Sequence, residues 1–551
     1  MAEETLRRNL YEAFDPGPGF PNPLLLSRTM AALEAAEPAA DRRPSRGRSG
    51  SPRRGIVSLS PADTTGRLVA AALVLLLLLA SVGAVLLIQH YLLSPTPARW
   101  SGCGGSFQCA SITVPLDYSN RSPGSIEIAT IRKPATDSSH RIGSLILDPG
   151  GPGISGIDYL RQDSVSYESL NKRFDLVGFD QRGVGRSASV RCLTNAQIDA
   201  LIQVDTVLDD PREKQIYIEA STSMAQACEQ TSARLLPFVD TASAARDLDA
   251  IRAALGDSKL TYLGFGYGSF LGETYAHLFP THVRALVFDG VADPALGVGD
   301  ELLGRAMGFE ANLQAFLADC RSIAVCAFGQ AGDPGPRLAG LIQKLDQSPL
   351  PVGPRSLGGR LAIAGLIVGL DPRRWRDLDG ALNDAANGDG QALLALADVA
   401  YGRRADGSYL YLPEAQTAIT CVDQAVPSDL AFYDQLGPAL VKASPIFGPA
   451  FQYAPLDCSL WPVKSKRTAG ALTATGAPPI LLLGGTQDPS WPYAWAQAVN
   501  SQLARSVLLT RNGYGFLSYF RSLCVSLAVN AYLTQLALPP AGTVCASDYP
   551  A

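Results

Sequence analysis

The longest uninterrupted apolar run in the chain, LVAAALVLLLLLASVGAVLLI from Leu68 to Ile88, carries no charge and is long enough to cross a bilayer as a helix. It begins too late and runs too long for a signal peptide. From Trp100 onward the pattern changes to short apolar or β-branched runs alternating with helical stretches, the signature of an α/β fold. ASITVPLDY and GSIEIATIRK read as a leading pair of strands. GSLILDPGGPGISG and FDLVGFDQRGVGRS each read as a buried strand emptying into a glycine-rich loop. TASAARDLDAIRAALG reads as an amphipathic helix that stops at Gly256, and LTYLGFGYGSFLG as a strand, a sharp turn and a helix. HVRALVFDGVADP, PPILLLGGTQDP and SVLLTRNGYG add three more strands, so six core strands follow the leading pair. Between Pro294 and about Pro478 the rhythm is lost and helical stretches such as GFEANLQAFLADC dominate. Residues 294–478 therefore read as a lid inserted into a core made of 89–293 and 479–551.

Charge gives the apolar run a direction. Arg42, Arg43, Arg46, Arg48, Arg53, Arg54 and Arg67 precede it, whereas the residues just after it carry only Arg99, which predicts a cytosolic N-terminus and an exported C-terminal part. Cysteine placement points the same way. All ten cysteines follow the run, and an even number confined to one side reads as disulfides formed outside the reducing cytosol. No CxxC or Cys/His cluster suggests a metal, and no cofactor motif is found. The chain has a net charge of -5, and its first 67 residues hold more arginines than acids, so the exported part is acidic and a poor nucleic-acid binder. The stretch DRRPSRGRSGSPRRG within the tail 1–67 reads as a disordered juxtamembrane linker facing anionic headgroups.

The candidate chemistry centres on GFGYG, one residue away from the Gly-x-Ser-x-Gly turn that exposes a nucleophilic serine between a strand and a helix. VPLDY, DPGGPGISG, FDLVGFDQRGVGRS, DLDAIRAALG, the GFGYG turn, LVFDGVADP, GGTQDPSWPYAWA and RNGYG occur in that order from Val114 to Gly515. With them the chain resembles the α/β-hydrolase family of secreted tripeptidyl aminopeptidases and prolyl-aminopeptidase-like enzymes. The resemblance implies an α/β-hydrolase fold with a helical lid, and a peptide-sized pocket. It puts the nucleophile at Gly266, the acid at Asp488 and the histidine at Phe516. Gly150, Gly151, Gly153 and the backbone N–H of Tyr267 would then form the oxyanion side of the pocket. It also implies disulfides between Cys103 and Cys109, Cys192 and Cys228, Cys320 and Cys326, Cys421 and Cys458, and Cys524 and Cys545.

Of the three triad positions only the acid retains a side chain able to serve. Glycine has no group to attack with, and a phenylalanine ring neither takes nor gives a proton. The chain's four histidines are His90, His140, His277 and His282, and none follows residue 282. His277 and His282 flank the far end of the helix after the turn and read as surface or capping residues. Ser269, three residues past the turn, reads as helix-start packing, and the Tyr267 phenol as a pocket wall. Asp488 needs a new partner, a raised pKa, or backbone N–H groups to cap. Three readings stay open: a membrane-anchored, catalytically degenerate hydrolase homologue that binds or regulates at the cell envelope; an active peptidase or other hydrolase with unorthodox residues; and a structural anchor working through its cytosolic tail. The partners implied are the membrane and a peptide or small-molecule ligand.

Overall fold

A computed structural model of the chain describes residues 97–120, 122–410 and 412–548. The apolar run 68–88 and the arginine-rich tail lie outside the described residues. Among the described residues no helix is long and apolar enough to cross a membrane.

Twelve strands are described: β1 (Ser101–Gly102), β2 (Gln108–Pro115), β3 (Ser125–Lys133), β4 (Gly143–Asp148), β5 (Phe174–Phe179), β6 (Leu260–Phe265), β7 (Val283–Asp289), β8 (Leu350–Val352), β9 (Arg355–Leu357), β10 (Ile480–Gln487), β11 (Ser506–Tyr514) and β12 (Val544–Ala546). All but β8 and β9 form one sheet in the order β1-β2-β3-β5-β4-β6-β7-β10-β11-β12. β1, β2, β3 and β5 pair antiparallel, and from β5 to β12 every neighbour is parallel. This is the α/β architecture expected, with the eight expected strands in place. The short edge strands β1 and β12 and the β8–β9 hairpin are additions that apolar patterning does not mark.

Strands β4, β5 and β6 are buried at every residue, which is why they read as unbroken apolar runs rather than alternating ones. Alternate residues feed opposite cores. Ile146, Val177, Tyr262, Leu286 and Leu482 face a core shared with Leu248, Ile251 and Leu271 of the helices Thr241–Ala254 and Tyr267–Leu278. Leu145, Leu147, Leu263, Val287 and Leu481 face the other, with Leu160 of the helix Gly156–Asp163 and Val529 of the helix Leu523–Gln535. Between β7 and β10 the chain is mostly helical, from the long helix Val298–Ser322 to the short one at Leu456–Leu460, and the β8–β9 hairpin is the one sheet described there.

A buried ion pair ties three of the recognised stretches together. Arg182, from the loop after β5, meets both oxygens of Asp247 at 2.6 Å and donates to the carbonyls of Pro115, Leu116 and Phe238. Tyr118 donates to the same carboxylate at 2.8 Å. Every donor therefore has a partner, without which a buried guanidinium would be costly. Five disulfides join Cys103 to Cys109, Cys192 to Cys228, Cys320 to Cys326, Cys421 to Cys458 and Cys524 to Cys545, the pairing that the resemblance implies.

Asp247→Ala strands the Arg182 charge in the core. Urea denaturation should show a loss of about 3–5 kcal/mol, whereas Asp158→Ala, at a partly exposed pair with Arg186, should cost much less.

Candidate functional site

The loops that follow β4, β6, β7, β10 and β11 meet at one end of the sheet, where ligand crevices of open α/β sheets form. At their centre is Gly266, between the last residue of β6 and the first residue of the helix Tyr267–Leu278, with φ +56° and ψ −115°. That conformation costs a residue with a Cβ on the order of 1–3 kcal/mol, and glycine adopts it freely. The turn is pinned from three sides. Gly266 N–H donates to the carbonyl of Asp289 at 2.8 Å, Ser269 N–H donates back to the Gly266 carbonyl at 2.8 Å, and Ser269 Oγ donates to that carbonyl at 2.7 Å. Ser269 Oγ also accepts from Ala292 N–H at 2.9 Å. The Ser269 hydroxyl thus holds the turn in place, fully buried, as its position at the helix start suggested.

The glycine loop after β4 lies directly against the turn. A Cβ on Gly150 would fall 2.1 Å from the Phe265 carbonyl and 3.1 Å from Tyr267 N, so this residue has to be glycine for the backbones to approach. Gly150 N–H donates to Asp148 Oδ1 at 2.8 Å. Gly151 and Gly153 also have positive φ, and Gly153 lies beside Gln416 of the helical segment. Tyr267 differs from expectation. Its phenol is buried rather than lining a wall, bonded to Gln181 at 2.9 Å and to Thr241 Oγ1, which in turn bonds Asp423. Burial pushes the Asp423 carboxyl up to about 7.

The space beside Gly266 is filled. A Cβ there would lie 2.8 Å from Cζ2 and 3.0 Å from Nε1 of Trp491, and a Cβ on Gly290 would lie 2.7 Å from the same indole. Trp491 therefore sits where a nucleophile's side chain would project. Motif spacing carries no cue to it: Trp491 is three residues past Asp488, but its direction depends on the turn between them.

The buried carboxylate of Asp488 is held by backbone N–H groups. Its Oδ1 accepts from Ser490 and Trp491 N–H, each at 3.0 Å, and its Oδ2 accepts from Leu517 N–H at 2.7 Å. Burial nonetheless raises its pKa. Both expected outcomes, a raised pKa and backbone partners, occur together, although the helix that follows begins only at Tyr493. Phe516 turns to the helical segment, its ring 6.2 Å from that of Phe309, which also packs on Phe447 and Phe451. The 514–517 loop keeps its shape by wrapping Arg511, whose fully buried guanidinium donates to the carbonyls of Tyr514, Gly515 and Leu517. Asp289, not singled out in the sequence, accepts from Ser518 and Tyr519 N–H at 2.9 and 2.8 Å, and burial pushes it up to about 6.

No histidine among the described residues joins this cluster. His282 Nδ1 lies 2.8 Å from Asp249, and His140 pairs with Asp137 at an exposed site. His277 is exposed near the far end of the helix, ten residues and about 15 Å beyond Tyr267. The Cys320, Cys326 and Asp379 group has ligand types suited to a metal, but its sulfurs are joined to each other.

With this geometry the chain defines an α/β-hydrolase scaffold, and sequence comparisons agree. The family described as alpha/beta hydrolase fold matches residues 143–331, and the family described as TAP-like protein matches residues 444–545. The chain is similar to serine protease Hip1 of Mycobacterium tuberculosis (strain ATCC 25618 / H37Rv), 35% identical, covering 82% of this chain and 91% of that protein. It is similar to carboxylesterase B of the same strain, 35% identical, covering 80% and 86%, and to tripeptidyl aminopeptidase of Streptomyces lividans, 30% identical, covering 79% and 84%. The chain belongs to the tripeptidyl-aminopeptidase-like family of α/β-hydrolases.

The buried acids around the site give it a pH signature. Burial pushes Asp148 and Asp289 up to about 6 and Asp423 to about 7, and it raises Asp488 and the fully buried Glu273 as well. A carboxyl with a folded pKa above its unfolded value near 4 holds its proton more tightly when folded. Its contribution is complete below about pH 4 and is lost as the pH rises through the folded value. Stability measured by denaturant titration should fall between about pH 4 and pH 7, with each of Asp148 and Asp289 contributing on the order of 3 kcal/mol. Asp289→Asn should flatten that slope; an unchanged slope would show that Asp289 does not titrate in this window.

Proposed function

We propose that this is a membrane-anchored, extracytoplasmic α/β-hydrolase-fold protein whose peptidase-like site no longer performs acyl transfer and serves binding or regulation at the cell envelope. The observation that carries this reading is the glycine at the turn with the Trp491 indole packed against it. Loss of a triad serine or histidine alone costs roughly a millionfold in turnover, about 8 kcal/mol of barrier. Here neither position holds a reactive group. The helical segment between β7 and β10 acts as the lid, and a peptide is the ligand that the likeness to a serine protease and a tripeptidyl aminopeptidase favours. Anchoring rests on the apolar run 68–88 and the arginines before it.

The decisive measurement is labelling by a fluorophosphonate probe. The unmodified protein should stay unlabelled, as should Gly266→Ser and Phe516→His alone, each lacking the other half of the nucleophile–base pair. The double change should fail too, because the new serine would have its Cβ against Trp491. Adding Trp491→Ala should give the first labelled protein, at some loss of stability. Specific labelling of the unmodified protein, surviving removal of contaminating hydrolases, would establish the active-hydrolase reading instead.

Topology has its own test. Protease added to intact cells or spheroplasts should digest the domain from about residue 90 onward and spare residues 1–67. Digestion of the tail from outside would overturn the orientation.

A further inference from the structure

We propose that Trp491 is an autoinhibitory plug in the turn niche, and that Arg305 of the helical segment latches it shut. This rests on the reading of that segment as a lid. The indole lies against Gly266 and Gly290. Its outer side is covered by the Arg305 guanidinium, 4.9 Å from the ring of Trp491 and 5.8 Å from that of Trp495. The two indoles meet edge to face, 6.2 Å apart. A cation against two indole rings gains electrostatic attraction that grows as water is excluded.

The latch is itself held. Glu301, one helical turn before Arg305, pairs with it at 3.0 Å and accepts from Gln424 at 2.6 Å. Arg305 Nε is buried and has no hydrogen-bond partner, so stacking rather than hydrogen bonding fixes that end of the guanidinium. The same helix closes the neighbouring loops. A Cβ on Gly308 would fall 2.6 Å from the Pro489 carbonyl, and Asn312 donates to the Gln487 carbonyl at 3.0 Å and accepts from Gly515 N–H at 3.3 Å. Beyond it, Asp371 of the helical segment forms a buried two-pronged pair with Arg521, at 2.9 and 2.6 Å. The loops that carry Asp488 and Phe516 are therefore the seam between lid and core. A ligand reaches the turn only if Arg305 lets the indole swing away.

Amide exchange at the helix start reads this directly. Tyr267 and Gly268 open their helix, so their N–H groups have no acceptor within it, and their protection measures water access rather than helix stability. Hydrogen–deuterium exchange on the full chain in detergent should find both amides protected in the unmodified protein. Arg305→Ala and Trp491→Ala should each speed them tenfold or more, with β6 unchanged. Trp491→Phe, which keeps a ring but less of it, should fall between. Unmodified amides exchanging as in an unstructured peptide would overturn the plug, and Arg305→Ala exchanging as slowly as the unmodified protein would overturn the latch. Acceleration of β6 in step with Tyr267 in every variant would count against both, since it reports general loosening. Fluorophosphonate labelling is independent: a protein can be plugged yet labelled after opening, or open yet inert.

Discussion

Everything at this end of the sheet depends on how closely three backbones pass one another at Gly266. The loop after β4 comes so near that Gly150 could not carry a Cβ, and the turn hangs from the carbonyl of Asp289 on β7. Where such crowding buries loop N–H groups, they need acceptors from the protein itself. Three carboxylates supply them. Asp148 serves Gly150, Asp289 serves Ser518 and Tyr519, and Asp488 serves Ser490, Trp491 and Leu517. Each acid is desolvated for this duty, and burial raises the pKa of all three.

That duty gives Asp488 a structural role of its own. A carboxylate that faced only the Phe516 ring would be an uncompensated buried charge. Asp488 instead joins the loop after β10 to the loop after β11, whatever side chain residue 516 carries. The loop after β11 is also independent of a histidine: Arg511 fills it from within, and Arg521 donates to the Phe516 carbonyl while pairing with Asp371. The shape of these loops thus rests on backbone N–H groups, buried carboxylates and arginines, with no histidine among the described residues taking part.

The fold was legible because its central strands are buried on both faces and so appear as unbroken apolar runs between glycine-rich loops. β1 and β12 were not legible, being two and three residues long and placed by pairing and by the disulfides beside them. The turn glycine and the places of Asp488 and Phe516 in the loops after β10 and β11 were readable from motif spacing. What packs on them was not. Trp491, Arg305 and Phe309 reach the site from directions set by turns and by a helix nearly two hundred positions earlier in the chain than Asp488, and no local pattern encodes that meeting. Tyr267 shows the same limit: its backbone place follows from the turn, whereas its phenol is decided by Gln181 and Thr241, distant in sequence.

Gly266, Trp491 and Phe516 are physically coupled. Glycine at 266 relieves backbone strain, but it also vacates the volume of a side chain, and an empty apolar niche forfeits contacts in proportion to its size. Trp491 fills that volume, and by filling it excludes any larger residue at 266. Phe516, in turn, gives its ring to Phe309 of the helix Val298–Ser322, which also carries Arg305 over Trp491. Residues in contact have non-additive effects, so a substitution at any one of the three meets a site built around the other two. A serine finds an indole, a histidine finds an aromatic cluster, and a smaller residue at 491 leaves a cavity. Packing alone thus makes residues 266, 491 and 516 depend on one another.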